Sequence, residues 1–208
     1  PEFSDFQLTD LFNLGQKEVN ARVWAVIAST SISLVNGTTE YSLPTDYIMT
    51  LRVTVNHVPI PERTFSFLDD TSNNWIQDAA GVPLEYYIRF DSSVVDGVSK
   101  ESIGLHPAST NTVTLTDYYL AQPTNLSAGE DVPFGTANYR FYPFHHVLAF
   151  YAAFHGSLIR GDFERTAYYK SSYDILVNYM ESINRTRFMF NQQFRGVIPE
   201  TQMKTGGQ

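Results

Sequence analysis

The sequence contains no cysteine, and other features that would define whole classes of protein are also missing. Without thiols the chain cannot form disulfides, thiolate zinc sites or a cysteine nucleophile. No run of apolar residues approaches the roughly 20 that a membrane-spanning helix needs, and the first residues do not form a signal-peptide pattern. We therefore expect a soluble protein that is made in a cytoplasm and has no membrane partner.

Positive charge is scarce as well. The chain has 14 Lys and Arg against 22 Asp and Glu, which gives a net charge of −8. Because nucleic-acid affinity depends on cations that neutralise phosphates, this composition argues against a general nucleic-acid-binding surface. From Ile183 onward the balance reverses, with Arg185, Arg187, Arg195 and Lys204 against Glu200. An acidic body with a basic end favours a protein partner, or a surface that repels DNA.

Catalytic and ligand-binding motifs are absent from the sequence. It has no phosphate loop, dinucleotide glycine motif, Gly-x-Ser-x-Gly elbow or His-Glu-x-x-His pair. His145, His146 and His155 fall in one predicted helix, but their spacing places them on different faces, which favours surface or core histidines over metal ligands. We predict no enzyme activity, no catalytic residue, no metal and no cofactor.

Aromatic residues, by contrast, are abundant. The chain has 15 Phe, 13 Tyr and 2 Trp, and 43% of all residues are hydrophobic. A sizeable core of a 208-residue globular protein accounts for most of them. Buried interfaces also enrich aromatic side chains. Composition alone leaves both interpretations open.

Helical patterns occur at both ends of the chain. Ser4 and Gln7 have the spacing of a capping box, which predicts a helix that begins there and continues to about Ala28. Gly15 within it would permit close approach of another helix. We assign residues 1–30 to this N-terminal helix.

A helical hairpin is predicted for residues 139–187. Pro143 suits a first helical turn, and Arg160-Gly161 followed by Asp162 predicts a tight corner, because glycine ends helices and aspartate caps them. The second helix carries an apolar stripe that consists of Tyr169, Tyr173, Leu176, Met180 and Ile183. The hairpin needs the N-terminal helix to cover its apolar side.

The region between these helices, residues 31–138, is typical of antiparallel β-structure. It is rich in Thr, Val, Tyr and Ile and is interrupted every eight to twelve residues by Gly, Pro, Asn or Asp. Glu40–Pro44 predicts an edge strand, and Asn56-His57 predicts a tight turn between two strands. The fold class is therefore α+β: a helical bundle with an inserted antiparallel β subdomain.

The last segment, residues 188–208, is apolar but lacks a helical period. Gly196 and Pro199 interrupt it. We predict an extended C-terminal arm that binds a partner, with these contact residues: Arg187, Phe188, Phe190, Phe194, Arg195, Val197 and Ile198. Packing of the arm on its own subunit is the alternative.

Several weak patterns in order resemble the head-to-tail adaptor (connector) proteins of tailed bacteriophages. They begin with Leu43-Pro44-Thr45-Asp46-Tyr47-Ile48 before a strand hairpin. They continue with Gly81-Val82-Pro83-Leu84-Glu85-Tyr86-Tyr87, Ile103-Gly104-Leu105-His106-Pro107-Ala108 and Val113-Thr114-Leu115-Thr116-Asp117-Tyr118-Tyr119. The two predicted hairpin helices extend the resemblance over nearly the whole chain.

This resemblance implies a structural virion protein in the neck, assembled as a ring of twelve copies below the portal. Its partners would be the portal protein, tail or neck proteins and other copies of itself, with DNA passing through the channel without specific binding. Asp174 and Glu181 are candidates for lining that channel. Alternatives are another phage neck or tail-completion protein, or a carbohydrate-binding or glycan-cleaving β-sandwich with exposed aromatics beside paired carboxylates.

Overall fold

The computed structural model of the chain describes residues 3–71, 75, 78–95, 98–127, 131–135 and 141–193. It contains both helices and antiparallel sheets, so the predicted α+β class is confirmed. The chain forms two compact units, one of Pro1–Ala25 with Pro123–Gln208 and one of Val26–Gln122.

Helix α1, Asp5–Val23, begins where the capping box predicts. The Ser4 hydroxyl accepts a hydrogen bond from the Gln7 backbone N–H, and the Gln7 side chain accepts one from the Ser4 N–H. The predicted end near Ala28 is wrong, because Trp24 adopts a left-handed conformation with φ of 55° and closes the helix. The residues that follow are strand, so the N-terminal helix does not reach residue 30.

The unit Val26–Gln122 holds the strands and one short helix among the described residues. In chain order these are β1 Ile27–Ser33, β2 Glu40–Ser42, β3 Tyr47–Val55, β4 Val58–Ile60, α2 Phe65–Thr71, β5 Glu85–Val95, β6 Val98–His106 and β7 Thr114–Ala121. Two sheets result, with strand orders β1-β7-β3-β4 and β2-β6-β5. All pairings of these strands are antiparallel, as the sequence predicts.

Side chains from both sheets share one hydrophobic core. This core consists of Leu34, Val53, Val55, Tyr86, Ile103, Leu105 and Leu115. Alternation along β7 buries Leu115, Asp117 and Tyr119 on one side of the strand. Two amphipathic sheets that bury their apolar faces in this way account for the stability of the unit.

Two local predictions in this unit are confirmed. Strand β2 lies at a sheet edge, where the following Pro44 has no ladder hydrogen bond to donate. Asn56 and His57 join β3 to β4 with φ values of 48° and 68°. Positive φ at both positions matches the right-handed twist of a two-residue hairpin.

Helices α3, His146–Ile159, and α4, Phe163–Gln193, form the predicted hairpin. Gly161 has a φ of 73°, and the Asp162 carboxylate accepts a hydrogen bond from the Arg165 N–H, so the corner is confirmed. The first helix begins later than Pro143, because residues 141–144 form a 3₁₀ turn before it.

All three long helices pack on one another within their unit. Their buried residues include Val19 and Val23 of α1, Val147, Leu148 and Tyr151 of α3, and Tyr173, Val177 and Met180 of α4. A Cβ atom added at Gly15 would lie 2.8 Å from the Tyr151 ring. The predicted role of Gly15 in close helix approach is therefore confirmed.

The predicted extended arm is wrong for its first six residues. Helix α4 continues through residues 188–193, and the rest of the arm lies outside the described residues. The segment 184–193 contains Arg, Met and Gln, which favour helix, and no Gly or Pro before Gly196. Once a helix has formed, each added residue gains one backbone hydrogen bond. The helix can therefore continue through a stretch that has no periodic apolar pattern.

Candidate interaction surfaces

A polar seam joins α1 to α4, with Arg22 as its central cation. The guanidinium of Arg22 lies 3.0 Å from Glu181 and 3.8 Å from Asp174, and it donates to the Asn178 side chain at 3.2 Å. Asp174 also pairs with Lys170 at 2.6 Å. Sequence reasoning missed Arg22, since its partner Glu181 is 159 positions away.

The seam determines where the predicted channel-lining residues lie. Asp174 and Glu181 both face α1, and cations neutralise much of the field of both carboxylates. Their assignment to a channel surface therefore stays a prediction.

A buried tyrosine strengthens the same seam. Tyr173 is 3% exposed and donates a hydrogen bond to Glu18 at 2.8 Å. Burial raises the pKa of Tyr173 well above its ordinary value, and the neighbouring Glu18 carboxylate adds to the effect. The hydroxyl therefore stays protonated and remains a donor to α1.

The predicted arm residues follow a polar link between α4 and the end of α1. The Asn184 amide donates to the backbone carbonyls of Val23 and, at 3.2 Å, Trp24. Arg187, Phe188 and Phe190 belong to the helical stretch after this link. The remaining predicted contact residues, Phe194, Arg195, Val197 and Ile198, lie outside the described residues.

One face of α4 carries large exposed side chains. It lies opposite the face that packs on α1 and α3. Tyr168, Ile175 and Tyr179 are 65%, 65% and 58% exposed. The buried residues Tyr173 and Val177 lie on the other side of the helix. These three large side chains lie along one line of the helix surface.

The β unit contains a buried carboxylate that sequence reasoning did not identify. Asp117 is 0% exposed, and neither of its oxygens has a hydrogen-bond partner of acceptable geometry. Burial raises the pKa of Asp117 to about 6, and the nearby Thr50 hydroxyl, which also contacts the Tyr47 hydroxyl, offsets only part of this shift. Strict alternation along β7 was the signal that could have placed Asp117 in the core.

Burial also raises the pKa values of two other acidic groups in the β unit. Burial raises the pKa of Glu101, and it raises the pKa of Tyr86, where Glu62 and Asp117 add to the effect. A Glu101 oxygen is likewise buried without a hydrogen-bond partner. The interior between the two sheets therefore disfavours negative charge.

A cavity of about 350 Å³ in the β unit tests the carbohydrate alternative. Trp75 and Tyr87 line it, but they are only 7% and 3% exposed and contact each other edge to face with ring centroids 5.2 Å apart. Asp69 already accepts a hydrogen bond from the Trp75 indole at 2.8 Å. Phe65 also lines the cavity and is 41% exposed, but the other two lining carboxylates are engaged as well, Asp78 by His106 at 2.9 Å and Glu40 by Arg89 at 2.9 Å. A glycan-cleaving site would need a carboxylate pair available to the substrate, so this lining does not favour the carbohydrate alternative.

The structure and sequence together emphasise surfaces more than an enclosed site. A long helix with an exposed apolar face and a basic C-terminal end are the chain's most distinctive features. Among the helices that the structure describes, none is both long and apolar enough to cross a membrane.

Comparison with known families identifies the class of protein. The model of the SU10 adaptor protein family matches residues 1–196, so the chain belongs to this family of phage head-to-tail adaptors. The family is one of structural adaptors of phage particles. A search of curated proteins found no match to the chain.

Proposed function

We propose that this chain forms a ring of twelve copies between the portal and the tail of a phage particle and extends the channel through which DNA passes. The observation that carries the proposal is the family match, because it covers both compact units and nearly the whole chain. The helical unit acts in this proposal as a helical bundle and the β unit as its insertion.

Charge supports a passive channel. The chain has a net charge of −8, which would make a ring strongly acidic. DNA moves freely only past surfaces that do not neutralise its phosphates. In our proposal the inner surface carries more Asp and Glu than Lys and Arg, with Asp174 and Glu181 among the candidates.

The length of α4 supports binding to a second component. The helix has 31 residues, against 14 in α3. It continues for nine residues beyond Asn184, about 14 Å at 1.5 Å per residue. This stretch and the segment after it contain Arg187 and Arg195 together with three phenylalanines. Arginine and phenylalanine are common anchors at the centre of protein interfaces.

We propose that residues 188–208 bind the portal or a neighbouring subunit, beginning as helix. Order gained only on contact would cost conformational entropy, which would hinder assembly before the portal is available. The free chain would then be monomeric.

Electron microscopy of purified portal rings mixed with the chain tests the proposed function. The expected result is a closed ring of the chain on one end of the portal, with portal alone as the control. Rings that attach to tail components and not to the portal would instead identify a tail-completion protein. A chain that stays monomeric with both would contradict the proposal.

A further inference from the structure

The exposed face of α4 is uncharged along about four turns of the helix. Residues 168, 172, 175, 179 and 182 follow each other at steps of four and three and therefore share one face. They are Tyr, Ser, Ile, Tyr and Ser. Charged residues of this part of α4, such as Lys170, Asp174 and Glu181, lie toward α1 instead. Tyrosine is enriched in protein interfaces, and charged residues are depleted from their centres.

A groove between α1 and α3 offers a surface of opposite shape. Two adjoining cavities of about 340 and 550 Å³ share Leu8, Phe12 and Ala149. Ala153 and Gly156 continue the floor along α3. The Phe3 ring of the same chain already packs over Gly156, so it is the small side chains of Ala149 and Ala153 that leave room for large side chains of another helix.

The two ends of this groove differ in charge. Arg160, Arg165 and Asp162 line one end, with a positive balance. Asp5 and Asp131 line the other end, where no Lys or Arg is among the lining residues. A helix that fits the groove should therefore carry an anion at one end and a cation at the other.

The sequence of α4 meets this requirement. Glu164 precedes Tyr168 by one turn, and Arg185 follows Ser182 within the same helix. Arg165, near the start of the receiving copy's own α4, lies at the positive end of the groove. If Glu164 of the incoming copy also lies at this end, the two α4 helices begin at the same end and are parallel. Parallel neighbouring helices are what rotation about a ring axis along the helices produces.

We propose that the α4 face of one copy, residues 168–182, binds in the α1–α3 groove of the next copy. This inference rests on the proposed ring and names its subunit contact. Different surfaces of the same unit meet in it, so the interface is heterologous, the type that generates a ring when the rotation between neighbouring copies closes.

The contact is small. The face between residues 168 and 182 is about 21 Å long, and a helix is about 10 Å wide. Stable pairs of proteins bury about 800 Å² per partner. Two copies alone therefore bind weakly, and the contact becomes stable when a portal holds the copies side by side.

Crosslinking between single-cysteine variants tests the contact, since the native chain has no cysteine to interfere. Ile175→Cys and Ala153→Cys chains are mixed, with and without portal rings, and treated with a short bismaleimide. We expect a covalent dimer only in the mixture, strongly increased by portal. Ser172→Cys, on the same face, should behave like Ile175→Cys and serves if that variant folds poorly.

Lys170→Cys is the matched control, because it lies on the same exposed helix but points toward Asp174. It should give no dimer with Ala153→Cys. Dimers of Ile175→Cys with itself would overturn the proposal in favour of a symmetric contact. Rings seen by electron microscopy without the mixed crosslink would overturn the contact and leave the proposed function intact. Absence of both rings and crosslink would reject the two together.

Discussion

A single buried carboxylate gives the β unit a specific pH dependence. Asp117 has its pKa raised from 3.8 to about 6 by burial. A raised pKa means that the folded state holds the proton more tightly than the unfolded chain. The protonated carboxyl therefore contributes stability in full below pH about 4, and this contribution is lost as the pH rises through about 6. Two pKa units correspond to about 3 kcal/mol.

Replacing Asp117 with Asn should remove that pH dependence. The asparagine carries no charge at any pH, so the difference in unfolding free energy between variant and native chain should shift by about 3 kcal/mol in favour of the variant between pH 4 and pH 8. Denaturant unfolding at several pH values measures it. Asp70→Asn, on an exposed carboxylate, is the control. Parallel curves for native chain and Asp117→Asn would contradict the argument.

Gly104 illustrates a residue fixed by its cross-strand neighbour. It pairs with Tyr87 across β5 and β6, and a Cβ atom at Gly104 would overlap the Tyr87 ring. Gly104→Ala should therefore lower the unfolding free energy by about 3 kcal/mol, the upper range for an overpacked core. In the double variant with Tyr87→Ala the clash is absent, so the two effects should be clearly less than additive. Additive losses would show that the ring does not cause the penalty.

At the scale of elements, helix boundaries with a local signal were predictable, and boundaries set by tertiary pairing were not. Ser4, Gln7, Gly161 and Asp162 act through bonds to residues at most a few positions away, so the sequence contains the whole signal. The end of α1 depends on Val26 and Ile27 joining a sheet with a strand almost a hundred residues later. Their β-branched side chains fit both a helical period and a strand, and tertiary pairing decides between them.

The C-terminal arm shows the opposite error. Its apolar residues lack a helical period, and we inferred extension, yet α4 continues to Gln193. Periodicity reports which face of a helix is buried, and a helix can continue without such a pattern. Helix propensity in this stretch was the better guide.

Truncation after Gln193 tests the arm as an element. Deleting residues 194–208 removes Phe194, Val197 and Ile198 but leaves the helices intact. We expect an unchanged melting temperature and loss of portal binding, measured by cosedimentation with portal rings. Deleting only residues 204–208, which are polar, should preserve binding. A lowered melting temperature would indicate that the arm packs on its own subunit, and retained portal binding would contradict its proposed role.

At the scale of the whole molecule, composition gave the net charge but not which charged side chains pair with one another. The excess of acids was evident from the sequence, and so was the basic end. The pairing of Arg22 with Asp174 and Glu181 was not, because it joins helices that are far apart in the chain. Residues chosen for a free acidic surface turned out to lie in an ion-pair seam. Distant pairings of this kind follow from packing and leave no local pattern.

The remaining acids still make the chain a poor ligand for DNA. The net charge of the chain is −8, so bound DNA would bring its phosphates close to uncompensated carboxylates. The repulsion between phosphates and carboxylates is strongest at low salt. We expect no binding of duplex DNA in 50 mM salt by fluorescence anisotropy at micromolar protein. Any residual binding should come from the basic end, so it should weaken when residues 194–208 are deleted, which removes Arg195 and Lys204. Tight binding that falls steeply as salt increases would mean that cations dominate one surface, and a passive DNA channel would then be excluded.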